Sequence, residues 1–234
     1  MRYVFLDGEE GFPGALALRL VYQVTEANQL VLTYDATALS QPTVASFTTH
    51  AFFNLNGSHS GDIRDHQVMI CADHYLPMSA DLVATGEILP VSQTPFDWRQ
   101  PALLGSRLRS PDGLPHCLQD ARVPGYDVCY RINRPDENGA SGLALCARVG
   151  AAASGLTMEV WSTEPALQFY TGLSPQEPLP GSPGKDGQVY YQQNGVCLEP
   201  QGFPNAPNLP QFPSSIYQPG QSRRGQTLYQ FGVN

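Results

Sequence analysis

The chain has 234 residues, with 22 Gly, 21 Pro and only 15% charged side chains; average usage is roughly 12% Gly plus Pro and about 25% charged. A helical bundle or coiled coil would need many more charged helix formers and is excluded, while 41% apolar residues, with 11 Tyr and 10 Phe, exclude wholesale disorder. The formal net charge of −8 argues against a nucleic-acid or anionic-membrane partner, since both require clustered Lys and Arg.

Along the chain, Met1–Asp7 holds an apolar run too short for a signal peptide. Alternation then begins. Apolar positions run Leu16, Leu18, Leu20, Tyr22, Val24 and then Leu30, Leu32, Tyr34, Ala36, separated by Thr25–Asn28, which predicts a β-hairpin with one buried face. Further strands are predicted at Gln67–Ala72, Tyr126–Ile132, Leu143–Val149, Leu156–Ser162, Leu167–Thr171, Gly195–Glu199 and Thr227–Val233. Each is short, rich in β-branched or aromatic residues, and bounded by Gly, Pro, Asn or Asp. No long window carries a 3.6-residue apolar stripe, and Gly142, Gly150 and Gly155 weaken a helix where the composition comes nearest. Many antiparallel strands with polar outer faces predict an all-β sandwich or barrel. Pro90–Gly125 and Leu173–Gly187 read as long loops, the usual carriers of ligand sites on a β scaffold. No stretch approaches the ~18 apolar residues of a membrane span.

The five cysteines, Cys71, Cys117, Cys129, Cys146 and Cys197, are odd in number and form no C-x-x-C. They read as reduced structural thiols of a cytoplasmic protein. The pairs Arg107/Arg109 and Arg223/Arg224 read as solvated surface charge. His59, His66 and His74 lack the close spacing of metal ligands, so no metal site is expected.

Three segments place ionisable groups in strongly structured surroundings: Thr48–Gly57 with His50, Pro124–Asp127 with Asp127, and Gly195–Gln201 with Glu199. Singly, each has an ordinary explanation: a core histidine, a turn cap, a strand-end charge. Together they form a pattern. Thr49-His50-x-Phe52-Phe53-Asn54-Leu55, Gly125-Tyr126-Asp127, Pro165-Ala166-Leu167-Gln168-Phe169-Tyr170-Thr171-Gly172 and Cys197-Leu198-Glu199-x-Gln201 occur in that order. Gly11-Phe12-Pro13-Gly14 precedes them, and Phe203-Pro204-Asn205-Ala206-x-Asn208-x-Pro210 and Pro219-Gly220 follow. The set resembles the aldose 1-epimerase (galactose mutarotase) family over essentially the whole chain.

The resemblance implies a large antiparallel β-sandwich, with residues 1–234 as a single domain corresponding to the C-terminal two-thirds of a family member. It implies interconversion of the α and β anomers of free hexoses such as galactose or glucose, without a cofactor. The family's general base falls on Glu199 and its general acid on His50. Asp127 and Gln168 fall on groups that contact sugar hydroxyls. Phe52 and Phe53 read as core. Val128 and Pro200 stand where many members carry His and Thr or Ser. The family's Gly-Arg-x-x-Asn-Arg-Ile and Leu-His-Gly-Gly segments, whose Arg and second His help bind sugar, are absent from this sequence, and His59, His66, His74 and His116 have no such context. Loss of those first strands would expose sheet edges and lower stability. A non-catalytic carbohydrate-binding module, or an inactive fragment, is the alternative.

Overall fold

Alternation in the sequence becomes antiparallel pairing throughout the computed structural model, which describes residues 1–108, 125–134, 142–172, 183–191 and 193–233. In chain order the strands are β1 (Arg2–Phe5), β2 (Leu16–Thr25), β3 (Gln29–Ala38), β4 (Thr43–Val44), β5 (Phe52–Phe53), β6 (His66–Ile70), β7 (His74–Leu76) and β8 (Leu89–Pro90). They continue as β9 (Ala102–Leu103), β10 (Asp127–Arg131), β11 (Ala144–Ala151), β12 (Leu156–Ser162), β13 (Ala166–Tyr170), β14 (Val196–Gln201), β15 (Ile216–Tyr217) and β16 (Ser222–Val233). The one α-helical turn among the described residues, α1 (Leu104–Arg107), interrupts the first predicted loop. The rest of that loop, residues 109–124 with Arg109, His116 and Cys117, and most of the second, residues 173–182, lie outside the described residues.

An eight-stranded sheet runs β1-β2-β3-β16-β12-β11-β6-β9, and a six-stranded sheet runs β5-β14-β13-β10-β7-β8. Their facing sides share one core. Val68, Ile70, Ala147, Val149, Met158, Val160 and Tyr229 of the larger sheet pack on Val128, Tyr130, Leu167, Phe169, Val196 and Leu198 of the smaller one. Of the sandwich and barrel that alternation left open, this is the sandwich that the family resemblance implies. No helix of the described residues is long and apolar enough to cross a membrane.

The predicted hairpin forms as β2–β3, with Leu16 opposite Ala38 and Val24 opposite Leu30; Asn28 takes the left-handed turn position at φ 58°. Its apolar face is covered unevenly. At the Leu16 end Tyr217 packs on Ala36 and Ala38, with Ala45 and Phe47 against them, whereas Tyr22 is 50% and Val24 79% exposed. Alternation reports which side chains share a face; it does not report whether a second layer covers all of it.

Two arginines read as solvated are structural. Arg107 stacks on the buried Trp98 ring and donates to the Asp97 carbonyl. Arg223 stacks on Tyr217 and donates to the Ser214 and Ile216 carbonyls. Arg224 lies 3.8 Å from the Asp35 carboxylate.

Gly225 faces Tyr34 across the β3–β16 pair, and a Cβ there would lie 2.2 Å from the tyrosine ring. The ring cannot withdraw freely, because its hydroxyl donates to the half-buried Glu164 carboxylate and its face meets Phe47. Gly225→Ala is therefore expected to destabilise the fold by about 1–3 kcal/mol, the usual cost of overpacking. Urea denaturation reads this directly; an unchanged midpoint would show that Tyr34 relocates without loss.

Candidate active site

The strands of the smaller sheet are two-sided. Val128 and Tyr130, Leu167 and Phe169, and Val196 and Leu198 point into the core and are 3% exposed or less. The residues between them therefore point to the sheet's outer face. Register aligns them: Gln168 is opposite Glu199 on one side and Cys129 on the other, and Tyr170 is opposite Cys197 and Asp127. This explains why ionisable groups interrupt apolar strands. Each core residue has an outward neighbour, and on three adjacent strands those neighbours are Asp127, Gln168 and Glu199.

His50 comes from the segment leading into β5, the edge strand paired with β14. Asn54 fastens that segment: its amide donates to the Gly61 and Asn194 carbonyls, and its side-chain oxygen accepts from the Asn56 amide. At Gly195 a Cβ would lie 2.9 Å from the Phe52 Cβ, so the absence of a side chain lets β5 close on β14. His50 Nε2 then lies 3.7 Å from Glu199 Oε1, and His50 Nδ1 lies 3.4 Å from Cys197 Sγ. The imidazole is tilted over Phe52 at 5.1 Å and meets the edge of Tyr170 at 5.7 Å.

The structure thus brings all four site residues named from the sequence onto one face. His50 is not a core histidine: its side chain is 56% exposed, against 6% for Glu199. The core histidine is His66, fully buried, whose Nε2 accepts from the Leu55 amide and whose Nδ1 meets the Asp65 carboxylate. Phe52 departs from its expected core role. It is 48% exposed beside His50, while Phe53 packs inward on Tyr229 and Phe231. Neighbours on a strand take opposite faces, so Phe52 and Phe53 cannot both be core on one side.

Burial sets the electrostatics. It pushes the Glu199 carboxyl up to about 7; the His50 charge opposes the shift and the Asp127 charge adds to it. Burial also raises Asp127, against the hydrogen bond donated by Gln168 Nε2 at 2.5 Å and the His50 charge. Among the described residues no Lys or Arg forms an ion pair with either carboxylate. A buried carboxylate whose proton is held to near neutrality, beside an imidazole, has the range that general acid–base chemistry requires. Behind it, the Tyr229 hydroxyl crosses the core to donate to the Leu198 carbonyl at 3.2 Å, tying the strand that carries Glu199 to the opposite sheet.

His50, Cys197 and Glu199 bring ligand-type atoms within 4.8 Å of one another. The imidazole approaches Cys197 with Nδ1 and Glu199 with Nε2, so the closest contacts use different ring nitrogens; an ion would take one nitrogen, the sulfur and one carboxylate oxygen, three donors where a closed structural zinc site has four.

Fold and site together define a β-sandwich protein with a buried carboxylate beside an imidazole on the outer face of its smaller sheet. The sequence model of the Aldose 1-epimerase family matches residues 1–230. The chain is 40% identical to galactose mutarotase of Homo sapiens over 97% of its own length and 60% of the relative's. It is 33% identical to aldose 1-epimerase of Escherichia coli K12, covering 96% of this chain and 61% of that one. In fold it is similar to the GalM/aldose epimerase homologue of C. elegans, with a TM-score of 0.83 at 23% identity over 99% of this chain and 64% of that one. The chain belongs to the aldose 1-epimerase family. It spans about 60% of the length of the curated relatives it matches.

Proposed function

We propose that the chain interconverts the α and β anomers of a free hexose such as galactose or glucose at the face holding His50, Asp127, Gln168 and Glu199. The observation that carries this reading is the buried Glu199 carboxylate 3.7 Å from the His50 imidazole, on the same sheet face as the Gln168–Asp127 pair. Glu199 takes the proton from the C1 hydroxyl while the His50 imidazolium gives one to the ring oxygen. The C1–O5 bond breaks, the C1–O1 bond becomes a carbonyl, and the aldehyde rotates about C1–C2. Reclosure reverses both proton transfers on either face, so acid and base return to their starting states. Asp127 and the amide of Gln168 accept and donate hydrogen bonds to the sugar hydroxyls. The reaction as written consumes nothing and calls on no organic cofactor.

The names of the relatives, epimerases and mutarotases, favour catalysis over a sugar-binding module. Described cysteines that are all free support a reducing, cytoplasmic setting. Polarimetry of freshly dissolved α-D-galactose tests the reading: the chain is expected to hasten the approach to the equilibrium rotation, and soluble, folded protein without that effect would overturn it. The pH profile is expected to follow Glu199. Below about 7 its carboxyl holds a proton and cannot act as base, so kcat/KM falls as pH is lowered through that value. A profile flat through this range would assign the base elsewhere.

A further inference from the structure

Cys197 sits under the imidazole. It is fully buried, with Phe52 and Tyr170 opposite it on the neighbouring strands and His50 Nδ1 at 3.4 Å. We infer that Cys197 is a positioning residue for His50, a rotating thiol that fixes the imidazole through both of its protonation states. The inference deepens the proposed function and rests on His50 being the acid.

Two contacts select one tautomer of the neutral ring. A buried thiol carries a hydrogen that needs an acceptor, and a thiol is a weak donor as well as a weak acceptor. Burial, reinforced by the Glu199 and Asp127 charges, pushes the Cys197 thiol up, so it retains that hydrogen. Donation from Sγ–H to Nδ1 leaves the ring proton on Nε2, directed toward Glu199 Oε1 at 3.7 Å. The opposite tautomer would turn a nitrogen lone pair toward a carboxylate oxygen. When the ring becomes imidazolium, Nδ1 acquires a proton. Rotation about the Cys197 Cβ–Sγ bond then presents a sulfur lone pair, and Nδ1–H donates to sulfur. A fixed acceptor, such as a carboxylate or backbone carbonyl, would suit only a ring with a proton on Nδ1. A thiol accommodates both states without moving the ring, which an acid that must give up and regain a proton requires.

The test combines ¹⁵N NMR of the His50 imidazole with kinetics of Cys197→Ser and Cys197→Ala. In the unmutated chain at alkaline pH, Nε2 is expected to carry the proton, and Nδ1 to show the upfield displacement caused by a donated hydrogen bond. Cys197→Ala is expected to abolish that displacement and to lower kcat by about 10–10²-fold with KM little changed, as for a misaligned reacting group. Cys197→Ser is expected to restore most of both, since a hydroxyl donates and accepts in the same way. A proton on Nδ1 in the unmutated chain, or an Nδ1 resonance identical in Cys197→Ala, would overturn the inference. The NMR result stands independently of turnover. Should the unmutated chain fail to hasten mutarotation, the proposed function would fall, while the spectrum would still decide whether Cys197 holds the ring.

Discussion

Glu199→Gln is expected to lower the mutarotation rate by about 10²–10⁴-fold relative to the unmutated chain, the usual contribution of a positioned proton-transfer group. The substitution keeps the size of the side chain and its capacity for hydrogen bonding and removes only the ability to take a proton. It also separates chemistry from folding. The folded-state pKa of Glu199 is raised from the ordinary 4.5 to about 7, so the native state binds the proton more tightly than the unfolded chain. On this group's account stability is greatest below about 4.5 and declines as pH rises through about 7. The amide has no charge to bury. The variant should therefore be at least as stable as the unmutated chain above neutrality, while nearly inactive. An unchanged rate, followed by polarimetry, would remove Glu199 from the mechanism.

Phe169→Ala carries the largest expected cost to the fold, about 3–5 kcal/mol for an aromatic side chain truncated in a packed interior. Phe169 has no solvent exposure and touches the rings of Trp98, Tyr126 and Tyr130 at centroid distances of 5.6, 5.4 and 6.5 Å. Trp98 and Tyr126 also meet edge to face, and the Tyr126 and Tyr130 hydroxyls donate to the carbonyls of Pro95 and Phe96. Emptying the centre of this cluster removes aromatic contacts and loosens the segment around Trp98. Domains have only about 5–15 kcal/mol of net stability, so a large part of the margin would be lost. The urea midpoint measures it, and a loss below 1 kcal/mol would mean that the neighbouring rings collapse into the space.

Strands with several alternating residues were legible in the sequence. Leu156–Ser162 coincides with β12, and the hairpin forms from the two alternating runs. Others are legible with shifted ends: the last predicted strand begins at Ser222 instead of Thr227, because Gly225 and the arginines before it hide the alternation. The two-residue strands β4, β5, β8, β9 and β15 have no period to detect and exist through their partners. His50, Asp127 and Glu199 were visible as ionisable residues in structured surroundings and Gln168 only through the family motif, but the adjacency of Asp127, Gln168 and Glu199 depends on the pairing of β10, β13 and β14, which local pattern does not contain. Only the ordered motifs linked them. The contact of Cys197 with His50 left no local signal at all, since a buried thiol in an apolar strand reads as packing; its partner lies 147 positions away.

The alternation in β10, β13 and β14 constrains how these segments can change over evolutionary time. A substitution alters one face and leaves the other in place. Insertion or deletion of a single residue within such a strand would exchange the faces beyond that point, driving Glu199 or Asp127 into the interior and exposing Leu198 or Val128. Chemistry and cohesion would fail in the same event. These strands can therefore diversify in residue identity more readily than in length, unless a bulge such as the register shift between Leu145 and Ala147 in β11 absorbs the extra residue.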